Sequence, residues 1–195
     1  MNVLSKFSYC KDIVSSIHAT VFVFIGYFVL INKCQPILLF VVSASYFLTD
    51  CFYQSHDIYG LGIFVPHHLL SIVVEYTIVY LNNDLEFRNA LLLGFICAEM
   101  SNFPLYWVKY ELTNKRRVSS FIILLECVWY LFWRCLGTCY VLSNLFENNR
   151  WQIWWYITFI VFVIFVVSMF WGLGMIKSYL RTRSKERTVS LNRQF

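Results

Sequence analysis

Six long apolar runs, at residues 16–32, 36–54, 61–81, 89–107, 119–146 and 152–176, constrain this chain more than any other feature. An α-helix rises about 1.5 Å per residue, so roughly 20 apolar residues cross the hydrocarbon core of a bilayer. The runs approach or exceed that length, and the connections between them are short and polar. Charged residues make up only 14% of the chain, where a soluble domain carries about 25%. Mean hydropathy is +0.60. The expected fold is all-α, a polytopic membrane bundle or barrel of six transmembrane helices with no sizeable soluble domain. Lys6, Lys11 and Asp12, with no small-residue cleavage site after the first run, do not fit a secretory signal peptide.

Basic residues in the connections set the expected orientation. With the N-terminus in the cytosol, twelve fall on that side: Lys6, Lys11, Lys109, Lys115, Arg116, Arg117, Lys177, Arg181, Arg183, Lys185, Arg187 and Arg193. Only Lys33, Arg88 and Arg150 fall outside, and Arg134 is intramembrane. Both termini are therefore expected in the cytosol. Residues 1–15 form the cytosolic N-terminus, 16–176 the membrane domain and 177–195 a basic cytosolic tail. The tail and Lys115-Arg116-Arg117 suit anionic lipid headgroups as well as topology, and no nucleic-acid partner is expected. Arg116-Arg117-Val118-Ser119-Ser120 and Ser190 also carry a basic–serine phosphorylation pattern. The seven cysteines are scattered without a CxxC pair. Cys135 and Cys139 share a helical face as packing residues, and no metal site is expected.

His67 and His68 stand together inside the third run, where ionisable side chains are costly and mark function by default. Counted from the cytosolic end of each run, Asp50 lies about 6 Å deep, His67, His68 and Glu126 about 9–10 Å, and Glu99 and Ser168 about 12 Å. A polar layer drawn from five runs is what a cavity between helices requires, because lipid supplies no hydrogen-bond partners. His18, at the cytosolic mouth of the first run, either lines that cavity or marks the interface, and His56 falls in a solvated loop. Glu75 and Arg134 lie deeper, each about 21–22 Å. They are expected to form a structural ion pair across the third and fifth spans. Pro66 and Pro104 each remove a backbone donor and are expected to bend their spans around the chamber.

Adjacent histidines project about 100° apart on a helix, so the pair alone does not make a metal site. One would face the cavity while its neighbour supports it. An imidazole beside Asp50 or Glu99 suits a general base or nucleophile toward an acyl group. The same residues also suit a hydrogen-bonded helix contact.

Several short elements, taken in order, resemble those of the TLC-domain membrane proteins. Ser15-Ser16-Ile17-His18-Ala19 is similar to that family's opening Ser-x-x-His-Ala, and Ser45-Tyr46-Phe47-Leu48-Thr49-Asp50 to its Gly-Tyr-Phe-x-x-Asp, with Ser45 in place of glycine. Pro66-His67-His68 resembles the tandem histidine, and Ala98-Glu99-Met100-Ser101-Asn102-Phe103-Pro104 the Glu-x-Ser-x-Pro region. Phe132-Trp133-Arg134 and Ser168-Met169-Phe170-Trp171 are similar to later elements, with Ser168 where asparagine is usual. The resemblance implies a helical membrane domain, with Trp171 beside a lipid-accessible cavity. The ceramide synthase branch carries a His-Asp-x-x-Asp element that residues 98–102 do not reproduce, so ceramide synthesis is not expected. The smaller TLC-domain proteins, which the resemblance links to membrane lipid composition and homeostasis, match better. The expected function is binding or handling of a lipid or acyl chain in the endoplasmic reticulum or another endomembrane, without a cofactor. The alternatives are an acyltransferase using His67 or His68, with acyl-CoA as co-substrate, and a transporter or cargo-escort protein.

Overall fold

The direction in which the polar residues face decides how these runs assemble. The computed structural model describes residues 3–54, 62, 64–81, 84–113, 118–147 and 149–191, with side chains described from Ile13 onward except at 109, 112, 113, 187 and 189–191. The elements are α1 (Val3–Leu30), α2 (Pro36–Gln54), α3 (Val65–Tyr80), α4 (Leu85–Thr113), α5 (Ser120–Glu147), the single turn α6 (Arg150–Ile153) and α7 (Trp155–Leu191), with no strand among the described residues. His56, Lys115, Arg116 and Arg117 lie outside the described residues.

The six long helices close into a ring in the order α1, α2, α3, α7, α5, α4, and a further α3–α4 contact crosses it. Phe24, Leu48, Phe132 and Phe170 on the outer face are each more than half exposed. Ser43, Asp50, Glu75, Glu99, Arg134 and Ser168 are buried. A soluble protein would reverse this pattern. In lipid an apolar exterior costs nothing, whereas every polar group needs an internal partner. Among the described residues, five helices, α1, α2, α4, α5 and α7, are long and apolar enough to cross a membrane.

The helix of the tandem histidine is the exception. Its α-helical part has 16 residues, about 24 Å, and the described residues 62 and 64 before it are π-helical. Pro66 sits in the first turn of α3, two residues after Phe64, whose backbone is π-helical. A first-turn proline loses no intrahelical bond and its fixed φ suits a helix start.

Pro104 does lie inside α4. Its missing N–H leaves the carbonyl of Met100 without its usual donor. Trp129 of α5 supplies the replacement, its Nε1–H donating to the Met100 oxygen at 2.8 Å. The same two helices approach closely at Gly94 and Gly137. A Cβ on Gly94 would meet Val141 Cγ2 at 2.6 Å, and one on Gly137 would meet Cys97 Cβ at 2.7 Å. Small residues that let backbones approach drive helix association where no hydrophobic effect operates.

At the end of the ring away from the histidines, α1 and α5 stop at asparagines with left-handed backbone, Asn32 (φ 55°) and Asn149 (φ 52°). The N–H of Lys33 reaches back to the Phe28 oxygen at 2.8 Å, closing the carbonyl-capping turn typical of helix ends. Arg150 then ties three elements together. It binds both oxygens of Asp84 at 2.7 and 2.9 Å, and Asn144 Oδ1 at 2.7 Å. Asp84 also accepts from the N–H of Phe87 at 3.0 Å, capping α4.

Helix continues past the apolar run at the C-terminal end. Residues 175–191 contain neither glycine nor proline, so nothing stops α7 after Ile176. Its 37 residues extend about 55 Å. Trp129→Phe should lower stability in detergent by about 1–2 kcal/mol by orphaning the Met100 carbonyl. In a Pro104→Ala background, which restores the helical donor, the same change should cost clearly less. Equal losses in the two backgrounds, measured by chemical unfolding, would exclude this compensation.

Candidate functional site

Each of the six long helices contributes to the lining of a cavity of about 160 Å³ inside the ring. On this measure a water needs about 10–15 Å³, so the space holds on the order of ten. Val74, Leu91, Phe95, Val141, Val161 and Ile164 line one part. Asp50, His67, His68, Glu99, Asn102, Tyr106, Ser168 and Trp171 line the other, at the opposite ends of the same helices, with Arg134 between. The polarity therefore changes along the cavity's long direction.

His68 is the buried member of the histidine pair and His67 the half-buried one. His68 Nε2 lies 2.8 Å from Asp50 Oδ2, which also accepts from Gln54 Nε2 at 3.3 Å. With Nε2 donating to the carboxylate, the neutral ring carries its lone pair on Nδ1. Phe47 stacks on this ring, with centroids 4.8 Å apart. His67 meets the edge of Trp171 at 5.3 Å, and Trp171 in turn stacks on Phe64. The Nδ1 atoms of both histidines are buried without a hydrogen-bond partner among the described residues. Buried unpaired nitrogens are rare in native proteins and call for a water or ligand. No group of three or more metal-ligating side chains that could hold an ion occurs among the described residues.

Arg134 does not pair with Glu75, contrary to the sequence expectation. Its Nε donates to Ser101 Oγ at 2.9 Å and its Nη2 to Asn102 Oδ1 at 3.3 Å. Asn102 Nδ2 donates onward to Glu99 Oε2 at 3.4 Å. The amide thus bridges the cation to a carboxylate on α4, the helix against which α5 packs most closely. Glu75 instead accepts from Ser43 Oγ of α2 at 2.6 Å, and its Oε2 is buried without a partner. Equal depth along two helices says nothing about which faces meet. The first turn of α5 meets Glu186 of the α7 extension, so equal residue counts on α3 and α5 do not give equal heights.

The same offset displaces Glu126. It lies eight residues before Arg134, about 12 Å nearer the helix start, and lines a separate outer groove with Pro104, Trp107 and Trp129. His18 is buried behind the cavity wall. It stacks on Tyr46 at 3.9 Å and lies 3.3 Å from Ser43 Oγ. Asp50, His67, His68, Glu99, Ser168 and Trp171 are thus brought to one cavity, while Glu126, His18 and Glu75 are not. Ser168 donates its hydroxyl to the Ile164 carbonyl at 2.8 Å.

Ser43, Ser101 and Asn102 went unassigned in the sequence reading. Asn102 follows Glu99 by three and Ser43 precedes Asp50 by seven, spacings that share a helix face and could have flagged them. Tyr46, whose hydroxyl donates to Ser15 at 2.8 Å, carries no comparable signal.

Comparison of the chain with protein-family models, curated proteins and solved structures gives no match. The fold and site define a helical membrane protein with a buried polar-to-apolar cavity.

Asn102→Leu should cost about 2–4 kcal/mol, because it removes one of the two hydrogen-bond partners of the buried Arg134 and the amide donor to the buried Glu99 at once. The charge exchange Glu75→Arg/Arg134→Glu should fail to restore stability lost in the single variants. Thermal unfolding in detergent reads both, and rescue by the exchange would contradict the Asn102 bridge.

Proposed function

We propose that this protein is a six-span membrane protein of the TLC-like kind, with both termini cytosolic, that holds a lipid or acyl chain in its central cavity and thereby influences membrane lipid composition. The observation that supports this most is the change of lining along the cavity, from the imidazoles and Asp50 to Val74, Val141 and Val161. An acyl tail requires an apolar wall and its head a few convergent polar groups. The two unpartnered imidazole nitrogens add hydrogen-bonding capacity at the polar end. The excess of basic residues on one side supports the orientation, and an endomembrane such as the endoplasmic reticulum is the compartment the resemblance suggests.

A second reading rests on the His68–Asp50 hydrogen bond. A carboxylate that fixes one imidazole nitrogen leaves the other as a base, the arrangement used to activate acyl acceptors. In that reading His68, oriented by Asp50, is the base, His67 lies beside it, and acyl-CoA is the donor.

Purified protein in nanodiscs should carry co-purified lipid detectable by mass spectrometry. Val161→Trp, which fills the apolar part of the cavity, should reduce occupancy several-fold without unfolding the helices. Lipid-free wild type, together with an unchanged lipidome when the protein is removed from its cells, would sink the binding reading. For the acyltransfer reading, His67→Ala and His68→Ala should each reduce transfer from labelled acyl-CoA by about 10²-fold or more. No transfer by folded wild type across varied acceptors would leave only binding.

A further inference from the structure

Among the described residues, Glu186 of the long α7 extension hydrogen-bonds to the start of α5. Glu186 receives the backbone N–H of Ser120 at 3.0 Å and the Ser120 hydroxyl at 2.6 Å. The first N–H groups of a helix have no partner within it, so Glu186 acts as a cap supplied from another helix. Its neighbour Ser119 is exposed and forms the helix's own cap. The Ser119 hydroxyl faces the Ile122 N–H at 3.4 Å, and its carbonyl accepts from the same N–H at 3.1 Å.

Arg116 and Arg117 precede Ser119 by three and two residues, the spacing at which an arginine-directed serine kinase reads charge. The geometry points to Ser119 as a phosphorylation site that releases the α7 extension from α5 by competing with Glu186. The Oγ–phosphorus bond forms as the bond from the γ-phosphorus to the β–γ bridging oxygen of ATP breaks. ADP leaves, and the hydroxyl proton passes to the kinase. A phosphoserine carries close to two negative charges at neutral pH, through three acceptor oxygens. At a helix N-terminus these favour the free N–H groups and the positive end of the macrodipole. The phosphate therefore preserves the first turn of α5 while repelling the carboxylate that now occupies it. Arg183, one turn before Glu186, is engaged with the Tyr179 hydroxyl at 3.0 Å, and Lys185 is exposed to solvent.

Modification in a cell rests on the cytosolic placement proposed above, whereas the test in nanodiscs, which expose both faces, does not. Full-length protein in neutral-lipid nanodiscs is treated with the catalytic subunit of an arginine-directed kinase and ATP, then with trypsin. Phosphate should appear on Ser119 by peptide mass spectrometry, be absent from Ser119→Ala, and fall at least tenfold in Arg116→Ala/Arg117→Ala. Cleavage at Arg181, Arg183 and Lys185 should accelerate three- to tenfold on phosphorylation. Glu186→Ala, a surface change that leaves the ring intact by gel filtration, should show that faster cleavage without kinase and gain little more with it. Absence of phosphate on Ser119, unchanged cleavage after modification, or equal acceleration in Glu186→Ala would overturn the inference.

Discussion

The seam between α4 and α5 is the contact on which the rest of this protein depends. Gly94 and Gly137 bring the two backbones together without Cβ atoms in the way. That approach places Trp129 against the carbonyl freed by Pro104, and Arg134 against Ser101 and Asn102. Each polar exchange satisfies a group that lipid would leave unpaired. The proline, the arginine and the glycines are therefore parts of one interface. Its geometry also fixes where Glu99 and Arg134 project into the cavity.

Other buried polar residues form two further sets on other helix pairs. One joins Asp50 of α2 to His68 of α3, and the other runs from His18 through Ser43 to Glu75. Both span the α2–α3 contact. The short helix α3 consequently contributes the histidines, Ser71 and Val74 to the cavity. Its polar attachments hold it to α2, the role such groups commonly play between membrane helices. At the opposite end Arg150 holds the starts of α4 and α6 to the end of α5 through Asp84 and Asn144. Cavity and clasp thus use different residues.

Sequence reading located Asp50, His67, His68, Glu99, Ser168 and Trp171 at depths that tertiary packing joins in one space. It failed at Glu126 and Glu75 for an identifiable reason. A linear count assigns height along a helix but neither its rotation nor how far its first turns overshoot its neighbours. The Arg134–Glu99 connection through Asn102 lay within a segment already singled out. The bridging amide is uncharged, so opposite charges along the sequence do not mark it.

Hydropathy and helical length by themselves pointed to a helical membrane chain of six apolar runs with histidines among apolar residues. Of those runs, five form helices long and apolar enough to cross a membrane among the described residues. These properties need only the rise per residue and the cost of charge in hydrocarbon. Tertiary structure alone decided which carboxyl meets which base, that Trp129 answers the carbonyl freed by Pro104, and that Glu186 reaches the head of α5. Those outcomes depend on rotation and offset between helices, set by glycine contacts and side-chain shape. No pattern along a single helix encodes them.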